Sequence, residues 1–308
     1  MSSPEKPQAV IAALAANLGI AVSKFVAFAF TGSSSMLAEG VHSLADSGNQ
    51  VLLLIGNKRA DRAPSSDHPF GYGRTRYIYA FIVSIVLFSV GGLFALYEGW
   101  HKVMHPEALT APGWAYGVLG VSIVLETLSL RTAVREAGWI RGGRSWATFI
   151  RSTKQPELSV VLLEDTAALV GLVFALIGIT LSFATGNGRW DGVGSLAIGA
   201  LLVVIATFLA KEMASLLIGE SASPGDIDAI RRALESGDDV ERVIHLRTMH
   251  LGPDELLIGA KIAVAHDDTA AGVARAIDAA EQRIREAVPI AHLIYLEPDI
   301  DRAERKTP

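Results

Sequence analysis

The sequence predicts a membrane protein of two parts: an all-α bundle of six transmembrane helices in residues 1–219 and a small α+β cytoplasmic domain in residues 220–308. Composition is the first reason, because 50% of the 308 residues are hydrophobic and 19% are charged, against about 25% charged in soluble domains. The second is uneven charge: residues 1–56 contain five Asp, Glu, Lys and Arg, whereas residues 220–308 contain 29. The third is six apolar stretches, each near the roughly 20 residues that a helix needs to cross a bilayer.

The six predicted spans are separated by polar links. They run approximately Val10–Phe30, Leu37–Asn57, Tyr77–His101, Pro112–Leu130, Leu158–Ala184 and Gly192–Leu217. The first stretch could instead be a signal peptide, but it lacks a clear basic segment before it and a small-residue cleavage site followed by a soluble domain. We therefore expect a retained span.

Positive charge alternates between the links. Residues 58–76 contain five Lys and Arg and residues 131–157 contain six, whereas the other three links contribute only Lys102 and Arg189. The positive-inside rule then places both termini and the tail in the cytoplasm. The bacterial inner membrane is the expected location. A net charge of −5 argues against a nucleic-acid partner, and the absence of cysteine excludes thiolate metal sites.

The tail shows the periodicities of a soluble domain. A cap at Ser223 precedes a helix to about Ser236, and Thr269–Ala287 is a second, amphipathic helix. Strands are predicted at Val240–Leu251, Glu255–Ala265 and Ile290–Glu297, with a turn at Gly252-Pro253-Asp254 between the first two. Four scattered histidines are expected to be ordinary surface or strand residues: His245, His250, His266 and His292.

One face of the second span is polar. Glu39, His42, Asp46 and Asn49 follow one another at spacings of three, four and three, which places all four on one side of a helix. An ionisable group inside a bilayer costs on the order of 3 kcal/mol, so such a stripe should face a bundle interior or a watery cavity. The alternatives are a structural polar seam between helices, or an interfacial location for Glu39.

A cation could be held between the His42 imidazole and the Asp46 carboxylate, but two ligands are too few, and another helix must contribute. The fifth span supplies the adjacent acids Glu164 and Asp165, followed by small residues that allow close helix approach. The alternative for these acids is an ion pair with an arginine such as Arg131. Glu126 in the fourth span could join the site, relay protons or pair with Arg131.

Several segments resemble the cation diffusion facilitator family, over nearly the whole chain. They are Leu37–Asp46, His68–Arg74, Tyr97-Glu98-Gly99 followed by His105-Pro106-Glu107, Leu162–Leu169 and Leu216–Glu220. The fifth-span segment is most similar to the branch that contains the human mitochondrial zinc transporter number nine and its bacterial relatives.

The resemblance implies a homodimeric metal/proton antiporter with six spans and an αββαβ, metallochaperone-like cytoplasmic domain. Its transport site takes two ligands from span two, matched here by His42 and Asp46, and two from span five. Asp165 matches one of the latter, but Val161 stands in the place of the other, so Glu164 is the nearest group that could compensate.

Other sites of the family are only partly retained. In the loop site, His68 matches one ligand, while Ser65 and Tyr72 stand where others are expected. In the dimer domain, Ile244, Lys261 and Tyr295 occupy expected histidine positions and Glu297 replaces an acid, so the tail is expected to dimerise mainly without bound metal. A charge interlock is implied between Arg74 and the acidic position near Glu220.

These residues predict a secondary transporter that exports divalent cations in exchange for protons, with Zn²⁺ as substrate rather than cofactor. Zinc suits imidazole and carboxylate ligands best, and Fe²⁺, Co²⁺ and Mn²⁺ are compatible with them. A membrane-embedded metal-dependent hydrolase is the alternative, but no His-Glu-x-x-His pair or serine nucleophile motif is present. A metal-gated channel or sensor is the other alternative, and the ligands missing from the tail argue against it.

Overall fold

The fold of the protein is given by a computed structural model. The structure describes residues 7–265 and 269–300, without the side chains of residues 7–13, 15, 16 and 112. The chain forms two compact units: the first extends to Lys58 and resumes over Tyr77–Ala214, and the second consists of Arg59–Arg76 and the chain from Ser215. His266, one of the four tail histidines, lies outside the described residues.

Helices occupy all six stretches for which spans were predicted. In order they are α1 (Pro7–Thr31), α2 (Ser34–Ala60), α3 (Thr75–Val86), a π-helical segment (Leu87–Leu93), α4 (Phe94–Met104), α5 (Pro112–Arg141), α6 (Trp146–Ser152), α7 (Pro156–Thr185) and α8 (Arg189–Ile218). Proline in the first turn starts α5 and α7, and glycines in the left-handed region end them.

Among the described residues, four helical stretches are long and apolar enough to cross a membrane: Thr75–Met104, Gly113–Arg141, Pro156–Thr185 and Arg189–Ile218. The described part of α1 contributes a shorter apolar helix, Asn17–Thr31. Helix α2 falls outside this group because its polar face lowers its mean hydropathy. Helix α5 continues beyond the predicted end at Leu130, since arginine, alanine and glutamate in the basic link are good helix formers.

Glycines allow α4 and α8 to pack backbone against backbone. A Cβ built on Gly99 of α4 would lie 2.6 Å from the Leu196 nitrogen and 2.8 Å from the Gly192 oxygen of α8. One on Gly199 of α8 would lie 2.7 Å from the Leu96 nitrogen. Small residues of this kind let membrane helices approach closely.

We expect Gly99→Ala to destabilise the first unit by about 1–3 kcal/mol, because the added methyl meets backbone atoms that cannot move unless the helices separate. The apparent melting temperature of the purified protein in detergent measures this. The control is Gly120→Ala in α5, where an added Cβ meets no atom within 4 Å. Equal melting temperatures for the two variants would contradict the prediction.

The start of α2 is anchored to α8 by Asp191, which is fully buried. Its carboxylate accepts hydrogen bonds from the Ser33 hydroxyl at 2.7 Å and from the Ser34 backbone N–H at 2.7 Å. The Ser35 backbone N–H donates to the same carboxylate at 3.3 Å. A carboxylate at a helix N-terminus satisfies the free N–H groups and complements the helix dipole, so the position of α2 is well defined at this end.

The tail is a three-stranded sheet with two helices, in the order α9 (Pro224–Glu235), β1 (Arg242–Gly252), β2 (Glu255–Ala263), α10 (Ala270–Ala287) and β3 (Leu293–Asp299). Strand β2 is central, antiparallel to β1 and parallel to β3. Ser223 caps α9 by accepting the Asp226 N–H. Ile230, Leu256 and Ile284 are fully buried between helices and sheet. The predicted succession of helix, two strands, helix and strand is confirmed in order and type.

Candidate cation site

The predicted polar face of α2 is turned into the first unit. Glu39 and Asn49 are 0% exposed and His42 is 1% exposed, while the Asp46 side chain retains 16%. Turns of 3.6 residues bring residues at these spacings onto one side of the helix. Since the burial of charged groups is costly, a face of this composition requires compensating partners or a ligand.

Several polar atoms on this face have no hydrogen-bond partner within the described part of the chain. They are one oxygen each of Glu39, Asp46 and Asn49 and both ring nitrogens of His42. His42 Nδ1 and Asp46 Oδ1 lie 3.4 Å apart. Buried polar groups are nearly always hydrogen-bonded, so lone pairs left free along one buried helix face are available to bind a cation.

Helix α7 brings the two predicted acids to this face of α2. Glu164 is 5% exposed, and its Oε1 accepts a hydrogen bond of 2.7 Å from the Asn49 side-chain amide. Asp165 is half-buried and accepts a hydrogen bond of 2.9 Å from the Ser129 hydroxyl of α5. The small residues that follow Glu164 on the same face of α7, Ala168, Gly171, Ala175 and Gly178, are also buried.

A small cavity joins these residues. It encloses about 20 Å³ and is lined by Asn17, Ile20, Ser43, Asp46, Gln50, Glu126, Val161, Glu164 and Asp165. This volume holds about one water molecule, and a bare divalent cation is smaller than that. Four carboxyl side chains from α2, α5 and α7 therefore share one polar space. Val161 lines it too, at the position where the family resemblance implies a further ligand.

The described side chains do not converge on one point. No three His, Asp or Glu residues among them are close enough together to hold a metal ion as they stand, and His42 is not part of the cavity lining. A cation bound by His42, Asp46 and the α7 acids together would have to draw these side chains inward. The assignment of His42, Asp46, Glu164 and Asp165 as ligands therefore stays a prediction.

Glu39 is held by a residue whose role the sequence did not reveal. Its Oε2 lies 2.9 Å from Lys24 Nζ of α1, and both side chains are fully buried. Lys24 is the one charged residue inside the first predicted span. A lone charge in an apolar helix needs a partner, so the sequence could have suggested a pairing with an acid of α2. Arg131, the partner considered for Glu126 and Glu164, pairs with neither within the described chain.

The remaining candidates belong to the second unit. His68 is exposed in the loop before α3, where its ring packs against Tyr72 with 4.5 Å between ring centroids. Ser65 Oγ lies 3.1 Å from the Tyr72 hydroxyl. Hydrogen bonding and ring packing therefore link the three residues for which the resemblance implies ligand positions.

Arg74 is the basic residue of the implied charge interlock. Arg74 donates a hydrogen bond to Met249 Sδ at 3.1 Å, and its guanidinium lies 3.6 Å from the position of a Cβ on Gly219, the residue before Glu220. An ion pair between Arg74 and Glu220 stays a prediction.

In the tail, Lys261 stands at one of the expected histidine positions and lies between two acids. Its Nζ is 2.9 Å from Glu297 and 3.1 Å from Asp299. Hydrogen bonds to Glu297 and Asp299 raise the pKa of Lys261 above its ordinary value. These carboxylates therefore already have a cationic partner, and dimerisation of the tail mainly without bound metal stays a prediction.

Comparison with known proteins relates the chain to a single family. The description "Cation efflux transmembrane domain" matches residues 10–218, and "Cation efflux protein, cytoplasmic domain" matches residues 222–299. The mitochondrial proton-coupled zinc antiporter SLC30A9 of Mus musculus is 33% identical over 241 residues, which are 78% of this chain and 42% of the relative. The chain thus spans less than half the length of that protein.

Two further relatives extend the comparison. Metal tolerance protein C4 of Arabidopsis thaliana is 29% identical over 257 residues, covering 83% of this chain and 56% of the relative. Cation-efflux pump FieF of Serratia proteamaculans is 27% identical over 249 residues, covering 81% and 78%. The similarity therefore extends through most of this chain in relatives from animals, plants and bacteria.

Proposed function

This chain belongs to the cation efflux family, and from that premise we propose that it exports divalent metal cations from the cytoplasm in exchange for protons. It is an integral, multi-pass membrane protein, and its family is one of efflux proteins rather than enzymes. The expectation that it is not an enzyme is thereby confirmed. The observation that carries the transport proposal is the buried face of α2, with free polar atoms on His42, Asp46 and Asn49.

In this proposal, His42 and Asp46 of α2 and Glu164 and Asp165 of α7 bind the transported cation. The cavity that Asp46 shares with both α7 acids supports this set. Asn49 donates a hydrogen bond to Glu164 and so orients it, as partners of metal ligands do. Glu126 also lines the cavity, and we propose that it carries protons to or from the site.

Proton exchange follows from the chemistry of the ligands. Imidazole and carboxylate bind a metal ion only in their deprotonated forms, so binding of metal expels protons, and protonation releases metal. If α2 and α7 rock so that the site opens alternately to the two sides, cation and protons are carried in opposite directions. Protons moving inward down their gradient then drive metal out of the cytoplasm.

The membrane arrangement that we propose has six spans, with α1 and α2 added to the four long apolar stretches. The basic links lie on the cytoplasmic side together with both termini, in the inner membrane of a bacterium. The αββαβ tail, in residues 220–308, joins two copies into a homodimer, and residues 1–219 form the transport domain. Support comes from the match of residues 222–299 to the family's cytoplasmic domain.

Zinc is the substrate that we propose. An imidazole with several carboxylates suits Zn²⁺ best, and Fe²⁺, Co²⁺ and Mn²⁺ are the competitors that the same ligands admit. The SLC30A9 relative is named a zinc antiporter, whereas another, MneP of Bacillus subtilis, is named a manganese efflux system protein. Competition between these metals for transport decides the preference.

The test is zinc flux into proteoliposomes that contain the purified protein and a zinc-sensitive dye. With an acidic lumen and a neutral exterior, zinc uptake is expected for molecules whose cytoplasmic face is outward, because luminal protons exchange for external metal. Dissipation of the pH gradient with a proton–potassium exchanging ionophore should slow uptake, because only the zinc gradient is then left to drive the exchange. Flux that is indifferent to the gradient would instead indicate a channel.

A further inference from the structure

Lys24 is a buried cation beside the proposed site. Its side chain is fully buried in α1, and its Nζ donates to Glu39 Oε2 at 2.9 Å and to Ser43 Oγ at 2.7 Å. Both acceptors lie on α2, and Ser43 also lines the cavity that contains Asp46, Glu126, Glu164 and Asp165. The ammonium is thus one side chain away from the acids of the site.

The pair fixes Glu39 tightly. One oxygen of Glu39 is held by Lys24, and the other lies so close to Gly171 of α7 that a Cβ at that position would overlap it. That second oxygen has no hydrogen-bond partner among the described residues. Glu39 is therefore a carboxylate with a free lone pair, one turn of helix before His42, and it is not among the residues that line the cavity.

The charge of Lys24 also acts beyond its own ion pair. Its Nζ also donates to Ser43 Oγ, and Ser43 lines the cavity together with Asp46 and Glu126. In a buried region a positive charge is screened far less than in water, so it opposes a second cation nearby. A transporter benefits from such opposition, because an ion must be bound weakly enough to leave.

We propose that Lys24 is a positioning residue that keeps Glu39 out of the cation site and lowers the affinity of that site for metal. This inference rests on the proposed function, since it presumes a cation site at His42 and Asp46. The alternative hypothesis, a purely structural ion pair, predicts a different result. In that case removal of either partner would only destabilise the fold, whereas here the two removals change metal affinity in opposite directions.

The experiment measures zinc binding to the purified full-length protein by calorimetry at one fixed pH. Lys24→Met is expected to lower the Kd about tenfold, because it removes a nearby positive charge and frees the Glu39 carboxylate. Glu39→Gln is expected to raise the Kd about tenfold, because Lys24 then keeps its charge without its partner. The double variant Lys24→Met with Glu39→Gln, which has no unpaired buried charge, is expected to lie between the two.

Lys102→Met is the matched control. Lys102 is also a buried lysine of the first unit, 5% exposed, but it donates to the Gly32 backbone oxygen rather than to the site. Its Kd for zinc is expected to equal that of the unaltered protein. If Lys24→Met does not fold, the double variant still decides, because it must bind zinc more tightly than Glu39→Gln.

Three outcomes would overturn the inference: Kd shifts of the same sign in both single variants, an unchanged Kd in Lys24→Met, or a double variant equal to Glu39→Gln. Asp46→Ala, measured in parallel, separates this failure from failure of the proposed site. If Asp46→Ala loses zinc binding while the Lys24 variants lose stability but keep the Kd for zinc, the proposed site is retained and only the role of Lys24 is rejected. If Asp46→Ala binds zinc normally, the site itself is wrong.

Discussion

Asp46→Ala and His42→Ala are each expected to reduce pH-driven zinc flux in proteoliposomes by about a hundredfold, since loss of a charge-assisted interaction near 3 kcal/mol corresponds to that factor. Asp46 is central because it lines the cavity with the two acids of α7 and lies 3.4 Å from His42. The two substitutions each remove one of the two ligands that we propose on α2. The initial rate of dye fluorescence measures the effect, at one zinc concentration below the Kd of the unaltered protein, where the rate follows the affinity.

The control for His42→Ala is His101→Ala. His101 is exposed on α4 and takes no part in the cavity, so its replacement should leave the flux unchanged. All variants must first elute as folded protein from a sizing column in detergent, which separates lost transport from lost folding. Normal flux in both Asp46→Ala and His42→Ala would reject these residues as ligands.

Glu164→Gln is expected to weaken zinc binding by about tenfold to a hundredfold, the range for loss of one charged contact in a buried site. This substitution isolates the contribution of the charge. The Gln carbonyl oxygen can still accept the hydrogen bond that Asn49 donates to Glu164 Oε1, so the change removes charge and leaves the local structure. Calorimetry with the purified protein gives the Kd.

Asp165→Asn tests whether Asp165, rather than Glu164, is the ligand that α7 contributes. Asp165 stands where the family resemblance implies a ligand, but it is less buried than Glu164 and accepts a hydrogen bond from Ser129. If Glu164→Gln leaves the Kd unaltered while Asp165→Asn raises it, Asp165 is the only ligand from α7. Glu136→Gln, an exposed position on α5, is the control in which zinc binding should not change.

Much of the architecture could be predicted from local patterns. Runs of apolar residues correctly indicated a helix at each of the six predicted stretches, and turn and cap residues such as Ser223 and Gly252 located the elements of the tail. The π-helical segment Leu87–Leu93 and the continuation of α5 to Arg141 were missed. The π-helical segment depends on a change of hydrogen-bond pattern within a helix, which a run of apolar residues does not reveal. The continuation of α5 depends on the helix propensity of a polar segment, which hydropathy does not measure.

The sequence by itself determined which residues share the polar face of α2, because a helical repeat of 3.6 residues is a local property. Glu39, His42, Asp46 and Asn49 could therefore be grouped from their spacing alone. Which partner each of them meets was decided only by the tertiary structure: Lys24 for Glu39, and Glu164 for Asn49. Those pairings depend on how helices far apart in sequence rotate and pack, and no spacing along one helix records that.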